Sequence, residues 1–296
     1  MIPAPFEYHA AKSLDDALRL LERHGDEAKV LAGGHSLLPL MKLRLASPRY
    51  LIDVGRLRGL SYIRLEGEQI AIGALTSHSD VEVSDLLRGR CPLLPETAAE
   101  IGDVQVRNRG TMGGSLAHAD PAADYPAAIL ALDGEIIATS SAGKRTIRAK
   151  DFFVDLLTTQ LRPGEILTEV RVPALGPRSG TAYAKLHQPA SGFAVVGAAA
   201  LVVLGPGGKI KDVALGITGL GAKAFRATAA EKALRGKKPS VKFVAAAVRN
   251  VAQGVEALSD IHASAEYRRE MASVYARRAL ERAVERASSR AKEKRA

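Results

Sequence analysis

Lys29-Val-Leu-Ala-Gly-Gly-His-Ser36 decides how this 296-residue chain is read. A short apolar run stops at two consecutive glycines, and Leu37-Leu-Pro-Leu-Met-Lys-Leu-Arg-Leu45 follows. The pattern predicts a strand over 29–32 passing into a helix over 35–45. Paired glycines allow φ > 0 and remove the Cβ atoms that would hold a ligand away, while the amides that follow can point at a phosphate. A plain strand-to-helix turn would use the same residues.

Arg107-Asn-Arg-Gly-Thr111-Met-Gly-Gly-Ser115 repeats the first stretch in miniature, with paired glycines, a hydroxyl and two arginines upstream. Two such loops can clasp both phosphates of one pyrophosphate, although a chance pair of turns fits as well. Ala117-His-Ala-Asp-Pro-Ala-Ala-Asp-Tyr-Pro126 follows. Its Asp120 and Asp124 stand where acidic residues cap helices, or where one carboxylate could accept hydrogen bonds from sugar or ribityl hydroxyls.

Outward from the first loop, the N-terminal 55 residues read as β-α-β-α-β, with strands over 6–9 and 50–54. Ser13 caps a helix with Asp16 at its third position, apolar at Leu14, Ala17, Leu18 and Leu21 and ended by Gly25. Between residues 56 and 177 strands are expected over 69–73 and 135–138, and helices over 80–88, 94–101 and 125–132. Pro173-Ala-Leu-Gly-Pro-Arg-Ser-Gly180 then breaks the chain, and a domain boundary is placed there. Strands over 181–186, 193–204 and 210–218 precede helices over 227–234, 241–255 and 266–287, an α+β order with an antiparallel sheet. Ala272, Ala276, Ala279, Ala283 and Ala287 form a stripe for close packing. The tail after Ser288 is expected to fray.

Composition excludes several classes. A single cysteine, Cys91, leaves no disulfide scaffold, four-cysteine zinc site or iron–sulfur cluster held by this chain. The net charge of +10 invites a nucleic-acid reading, but ten basic residues against four glutamates fall between Arg268 and Ala296. The longest apolar run, 193–204, falls short of the roughly 20 residues that cross a bilayer. The N-terminus has no signal-peptide pattern, so a cytoplasmic protein is expected. No G-x-G-x-x-G follows a strand, no P-loop occurs, and the seven histidines show no H-E-x-x-H spacing. Ser115 and His118 lack a nucleophile elbow.

Five segments hold one order from about residue 2 to 287. They are Leu31 to Leu45, Val106 to Ser115 with Asp120-Pro-Ala-Ala-Asp124, Pro163-Gly-Glu-Ile-Leu167, Lys185-Leu-His-Gln-Pro-Ala-Ser-Gly-Phe-Ala-Val-Val-Gly197, and Ala265-Glu-Tyr-Arg-Arg-Glu-Met271. Together they resemble the FAD-binding medium subunit of the molybdenum hydroxylases, the xanthine dehydrogenase family, and in particular that of aerobic carbon monoxide dehydrogenases. The resemblance implies an α+β protein. A two-part FAD-binding domain of the vanillyl-alcohol oxidase type covers 1–177, with parts about 1–56 and 57–177. A C-terminal domain with an antiparallel sheet and helices covers 178–287, and a basic tail covers 288–296.

The resemblance further implies that Ala32, Gly33, Gly34, His35 and Ser36, with Thr111, Met112, Gly113, Gly114 and Ser115, hold the FAD pyrophosphate. Asp124 would bind on the ribityl side, Ile101 and Leu167 line the pocket, Lys185 approach the flavin end, and Phe193 stand where those subunits place a Tyr. Ser115 and His118 replace residues that are often Asn in the family. No catalytic or metal-ligating side chain is implied. The partners implied are a small subunit with two [2Fe–2S] clusters and a large molybdopterin subunit, as a dimer of heterotrimers. Electrons would leave the FAD for quinone, NAD or another acceptor. A stand-alone flavin oxidase of the same fold is the rival enzyme, and a basic nucleic-acid-binding protein the rival from another class.

Overall fold

The computed structural model describes residues 2–293, with side chains through 290. Three larger sheets follow one another along the chain, and a small one pairs Phe153–Asp155 with Thr158–Thr159. The first is parallel, ordered Glu7–Ala10, Tyr50–Asp53, Ala28–Leu31. Helix Leu14–His24 covers it, burying Ala17 and Leu18. Ser13 Oγ accepts from Asp16 N at 3.1 Å, while Asp16 reaches back to Lys12 N rather than to the cap residue. Gly25, at φ 50°, ends the helix. The helix expected over 35–45 is only Leu37–Lys42, since the backbone turns left-handed at Arg44.

The second sheet is antiparallel, ordered Ile63–Glu66, Gln69–Gly73, Ile166–Pro173, Glu135–Ser140, Gly143–Arg148. Its central strand, Ile166–Pro173, was not expected. A bulge between Leu167 and Glu169 shifts its register, and Thr168 and Glu169 are buried beside the aliphatics, so no two-residue alternation survives. In place of one helix over 80–88 there are two, His78–Val83 and Asp85–Arg90, because Ser84 is extended and caps the second. Helix Tyr125–Ala131 is buried at all seven residues, wedged between the second and third sheets. It comes so close that a Cβ on Gly216 would fall on the Ala127 carbonyl.

The third sheet is the expected antiparallel one, ordered Ser179–His187, Ala194–Leu204, Ile210–Thr218, Phe225–Arg226. The apolar run at 193–204 is its long buried strand. Helix Ala265–Glu293 lies across it with all five stripe alanines at 0% exposure. Gly180 permits the approach, for its Cβ would fall on the helix backbone at Ala283 and Ala287. The tail is not frayed after Ser288: it stays helical through Glu293, with the Ser288 and Ser289 hydroxyls donating to carbonyls one turn back. The rest of the expected tail, 294–296, lies outside the described residues. The helix expected over 241–255 is Val241–Val248. No helix of the described residues is long and apolar enough to cross a membrane.

Candidate functional site

The two glycine loops touch. A Cβ on Gly33 would fall on the Arg109 carbonyl oxygen, and one on Gly114 would come within 3.9 Å of Ala32 Cβ. Gly34 adopts φ +79°, which suits glycine. Among the described residues the amides of Gly33, Gly34, His35 and Ser36 donate to no protein acceptor. These are four unspent donors in consecutive residues, a set that an anion's oxygens could use. The helix that follows has only six residues, so the loop amides carry the attraction rather than a helix dipole.

The second loop is built differently. Met112 N donates to Thr76 O, Gly113 N to Ala74 O, Gly114 N to Thr111 Oγ1 and Ser115 N to Thr111 O. Its backbone donors at 112–115 are thus engaged inside the protein, and its glycines serve close packing, since a Cβ on Gly113 would meet Ala74. The structure therefore separates two roles that the sequence made equal. The first loop supplies free amides, and the second forms the wall against which Gly33 sits. Leu167 is buried in the strand beneath that wall, and the neighbouring Thr168 carbonyl accepts from Ala74 N.

Helix Val104–Arg109 joins this end of the site to the other. Asp103 caps it, and six residues span roughly 9 Å. Arg107 donates from Nε to Glu82 at 2.7 Å and from Nη1 to Ile101 O at 3.2 Å, so it holds the helix in place instead of facing an anion. At the far end, a Cβ on Gly192 would lie 3.3 Å from Gly102 Cα, which brings the turn before Phe193 onto Ile101–Gly102. Phe193 is 42% exposed.

Asp124 and Lys185 meet at the same end. Lys185 Nζ donates to Asp124 Oδ2 at 2.8 Å and to Glu100 O at 2.7 Å, and the Tyr183 hydroxyl donates to Asp124 Oδ1. The ammonium expected to approach a flavin is therefore buried in a pair, and what it positions is the Glu100–Ile101 backbone. Asp124 occupies a helix cap position, yet its side chain makes no cap hydrogen bond. Burial pushes its carboxyl above the usual range, with Lys185 and Tyr183 pulling the other way. Asp120 makes the local turn instead, accepting from Ala122 N.

Sequence reading missed Thr76, Ser77 and His78, which form the far side of the second loop. Ser77 pairs with Thr111, and His78 N donates to Gly110 O. The Ser77-x-x-Asp80 capping box, present in the structure, was the available signal. Burial, with His35 and Arg107 nearby, pulls the His78 imidazole down to about 4. Cys91 is wholly buried, its thiol pushed up to about 12. Among the described residues no cluster of three His, Cys, Asp or Glu could hold a metal ion.

A family model described as the FAD binding domain in molybdopterin dehydrogenase matches residues 4–175, and one described as the CO dehydrogenase flavoprotein C-terminal domain matches 181–283. The 6-hydroxypseudooxynicotine dehydrogenase complex subunit alpha of Paenarthrobacter nicotinovorans is 40% identical over 287 residues, 97% of each chain. The carbon monoxide dehydrogenase medium chain of Hydrogenophaga pseudoflava is 40% identical over 280 residues, 95% of this chain and 97% of that one. A solved structure of carbon monoxide dehydrogenase from Hydrogenophaga pseudoflava, lacking the Mo-pyranopterin moiety, superposes with a TM-score of 0.94 at 42% identity, covering 97% of this chain and 99% of that one.

Proposed function

The chain belongs to the FAD-binding subunits of the molybdopterin dehydrogenases, as an FAD-binding oxidoreductase subunit of the molybdenum hydroxylase type, and on that premise we propose how it works. It is the electron-transfer flavoprotein of a complex, receiving electrons from [2Fe–2S] clusters on a small chain and passing them on to quinone, NAD or another acceptor. A large molybdopterin chain oxidises the substrate, and the assembly is a dimer of these heterotrimers in the cytoplasm. Bound FAD supplies the redox chemistry, exchanging electrons singly or in pairs.

The observation that carries this reading is the row of four unspent amides at Gly33–Ser36 seated against the Arg109 backbone. The residues fit the cofactor: Gly33 leaves no Cβ at the seam, where one would fall on the Arg109 carbonyl, and neutral backbone donors suit a pyrophosphate. In this reading Ala32–Ser36 bind the phosphates, while Thr111–Ser115 shape the opposite wall. Ile101 and Phe193 flank the flavin end, with Leu167 beneath the wall. Asp124 and Lys185 hold the Glu100–Ile101 backbone at the ribityl side and exclude water there by burial. No side chain of this chain acts as acid or base. The two parts of the FAD-binding unit and the C-terminal unit divide near 56 and 177.

The chain is equally similar to subunits of complexes named for carbon monoxide and for 6-hydroxypseudooxynicotine. Substrate choice therefore rests on another chain. The test is purification of the full chain with FAD, followed by gel filtration, and co-expression with the adjacent reading frames. Flavin absorbance that stays with the protein, and that bleaches when the cluster chain is reduced, supports the reading. Loss of all flavin, or bleaching without any cluster chain, overturns it.

A further inference from the structure

We propose that His78 is a further cofactor-binding residue, presenting an Nε2–H to a phosphate oxygen at the seam of the two glycine loops, with Tyr125 fixing that tautomer from behind. The inference rests on the FAD reading above. His78 is anchored at the second loop, where its amide donates to Gly110 O at 3.0 Å and the preceding Ser77 pairs with Thr111. Its ring lies against that loop, since a Cβ on Gly110 would come 2.5 Å from Nε2. The first loop is beside it too, because a Cβ on Gly33 would lie 3.0 Å from Gly110 Cα.

The side chain is 4% exposed and makes no hydrogen bond among the described residues; Nδ1 is completely buried without a partner. A neutral imidazole carries one donor and one acceptor, and burying either unpaired is costly. The Tyr125 hydroxyl is the second orphan in this place, at 0% exposure, its ring centroid 5.2 Å from that of His78. The two orphans complement each other. A single buried water between them would accept from the Tyr O–H and donate to Nδ1, which leaves the proton on Nε2. Nε2 faces Gly110, the residue that joins the Arg109 carbonyl under Gly33 to Thr111. A donor there adds to the row at Gly33–Ser36. An apolar core histidine of ordinary kind would need none of this, and would leave the phosphates untouched.

The test titrates the full chain with FAD, following flavin fluorescence, for wild type, His78→Gln, His78→Asn and His78→Phe, and records the 31P spectrum of the bound FAD. Gln can place an amide N–H near the Nε2 position, while Asn reaches only the Nδ1 position. The expected result is near-wild-type affinity for Gln and about tenfold or weaker binding for Asn and Phe. The phosphorus resonances should move in each variant while the flavin absorbance spectrum stays unchanged. Equal affinity and unshifted resonances in the Asn variant overturn the proposal, as does a loss shared by Gln and Asn with equal melting temperatures. Should Phe fail to fold, the Gln and Asn pair still decides. A wild-type chain that binds no FAD would instead overturn the cofactor reading itself.

Discussion

Lys185 Nζ stands 2.8 Å from Asp124 Oδ2 with the two side chains 0% and 5% exposed, an ion pair sealed between the helix of the second sheet and a strand of the third. Taking one member away leaves the other buried and unpaired, which typically costs about 3–5 kcal/mol, while replacing both with apolar groups of like volume can be nearly neutral. Lys185→Met should therefore destabilise the chain by about that amount, and Lys185→Met with Asp124→Leu by clearly less than the sum of the single changes. Urea unfolding of the three variants measures this. Strict additivity would show that the pair is not coupled.

Gly33→Ala tests the seam of the loops. The added methyl has nowhere to go, because it falls on the Arg109 carbonyl oxygen. The loops must part, and the four free amides lose their alignment. The expected outcome is a sharply lowered flavin-to-protein ratio after gel filtration. Gly59→Ala, with open space around it, should keep the wild-type ratio.

What the sequence made legible follows from local chemistry. Both glycine loops, the Ser13 cap, the alanine stripe and the buried strand at 193–204 were readable because each announces itself within a few residues. The central strand Ile166–Pro173 was not, since its bulge and its buried Thr168 and Glu169 hide the alternation that marks a strand. Asp124 and Lys185 entered the candidate site through family resemblance, but their pairing joins residues 61 apart in the chain, and no local pattern encodes it. His78 escaped notice for a related reason: its neighbours Gly110 and Tyr125 come from distant segments, and only the fold brings them to the imidazole.

His78 also makes stability depend on pH. Its pKa falls from an ordinary 6.5 to about 4 in the folded chain, chiefly through burial. The unfolded chain then binds more protons between those values, so stability rises with pH through that window. Its contribution is fully present above about 6.5 and lost as pH falls towards 4, a total on the order of 3 kcal/mol. Urea unfolding of wild type and His78→Gln between pH 4 and pH 7 should show a steeper slope for wild type. Parallel curves would mean that the imidazole is protonated as readily in the fold as outside it.

Arg268 counts toward the basic C-terminal stretch, yet it is buried at 1% exposure. One terminal nitrogen, Nη1, donates at 2.7 Å to both Val195 O and Gly219 O, and the other donates at 2.6 Å to Asp260 Oδ2. Arg282 and Arg286, exposed on the same helix, donate to Glu96 and to the Tyr183 and Thr181 carbonyls of the third sheet, so part of the basic stretch ties the helix to the rest of the chain. From Gly219 the chain of contacts continues. Gly219 N donates to Pro121 O, and the Thr218 hydroxyl lies within hydrogen-bond reach of the carbonyls of Pro121 and Ala123. Arg268 thus steadies the loop that delivers Asp124. A lysine has three donors but no planar fork, and cannot span the same acceptors. Arg268→Lys should lower stability by about 3 kcal/mol and weaken FAD binding as well, because the Asp120–Asp124 loop loosens. Arg269→Lys, a change at an exposed position of the same helix, should do neither. Melting curves together with flavin titration separate the two effects, and a variant that loses stability yet binds FAD as wild type would confine Arg268 to the sheet.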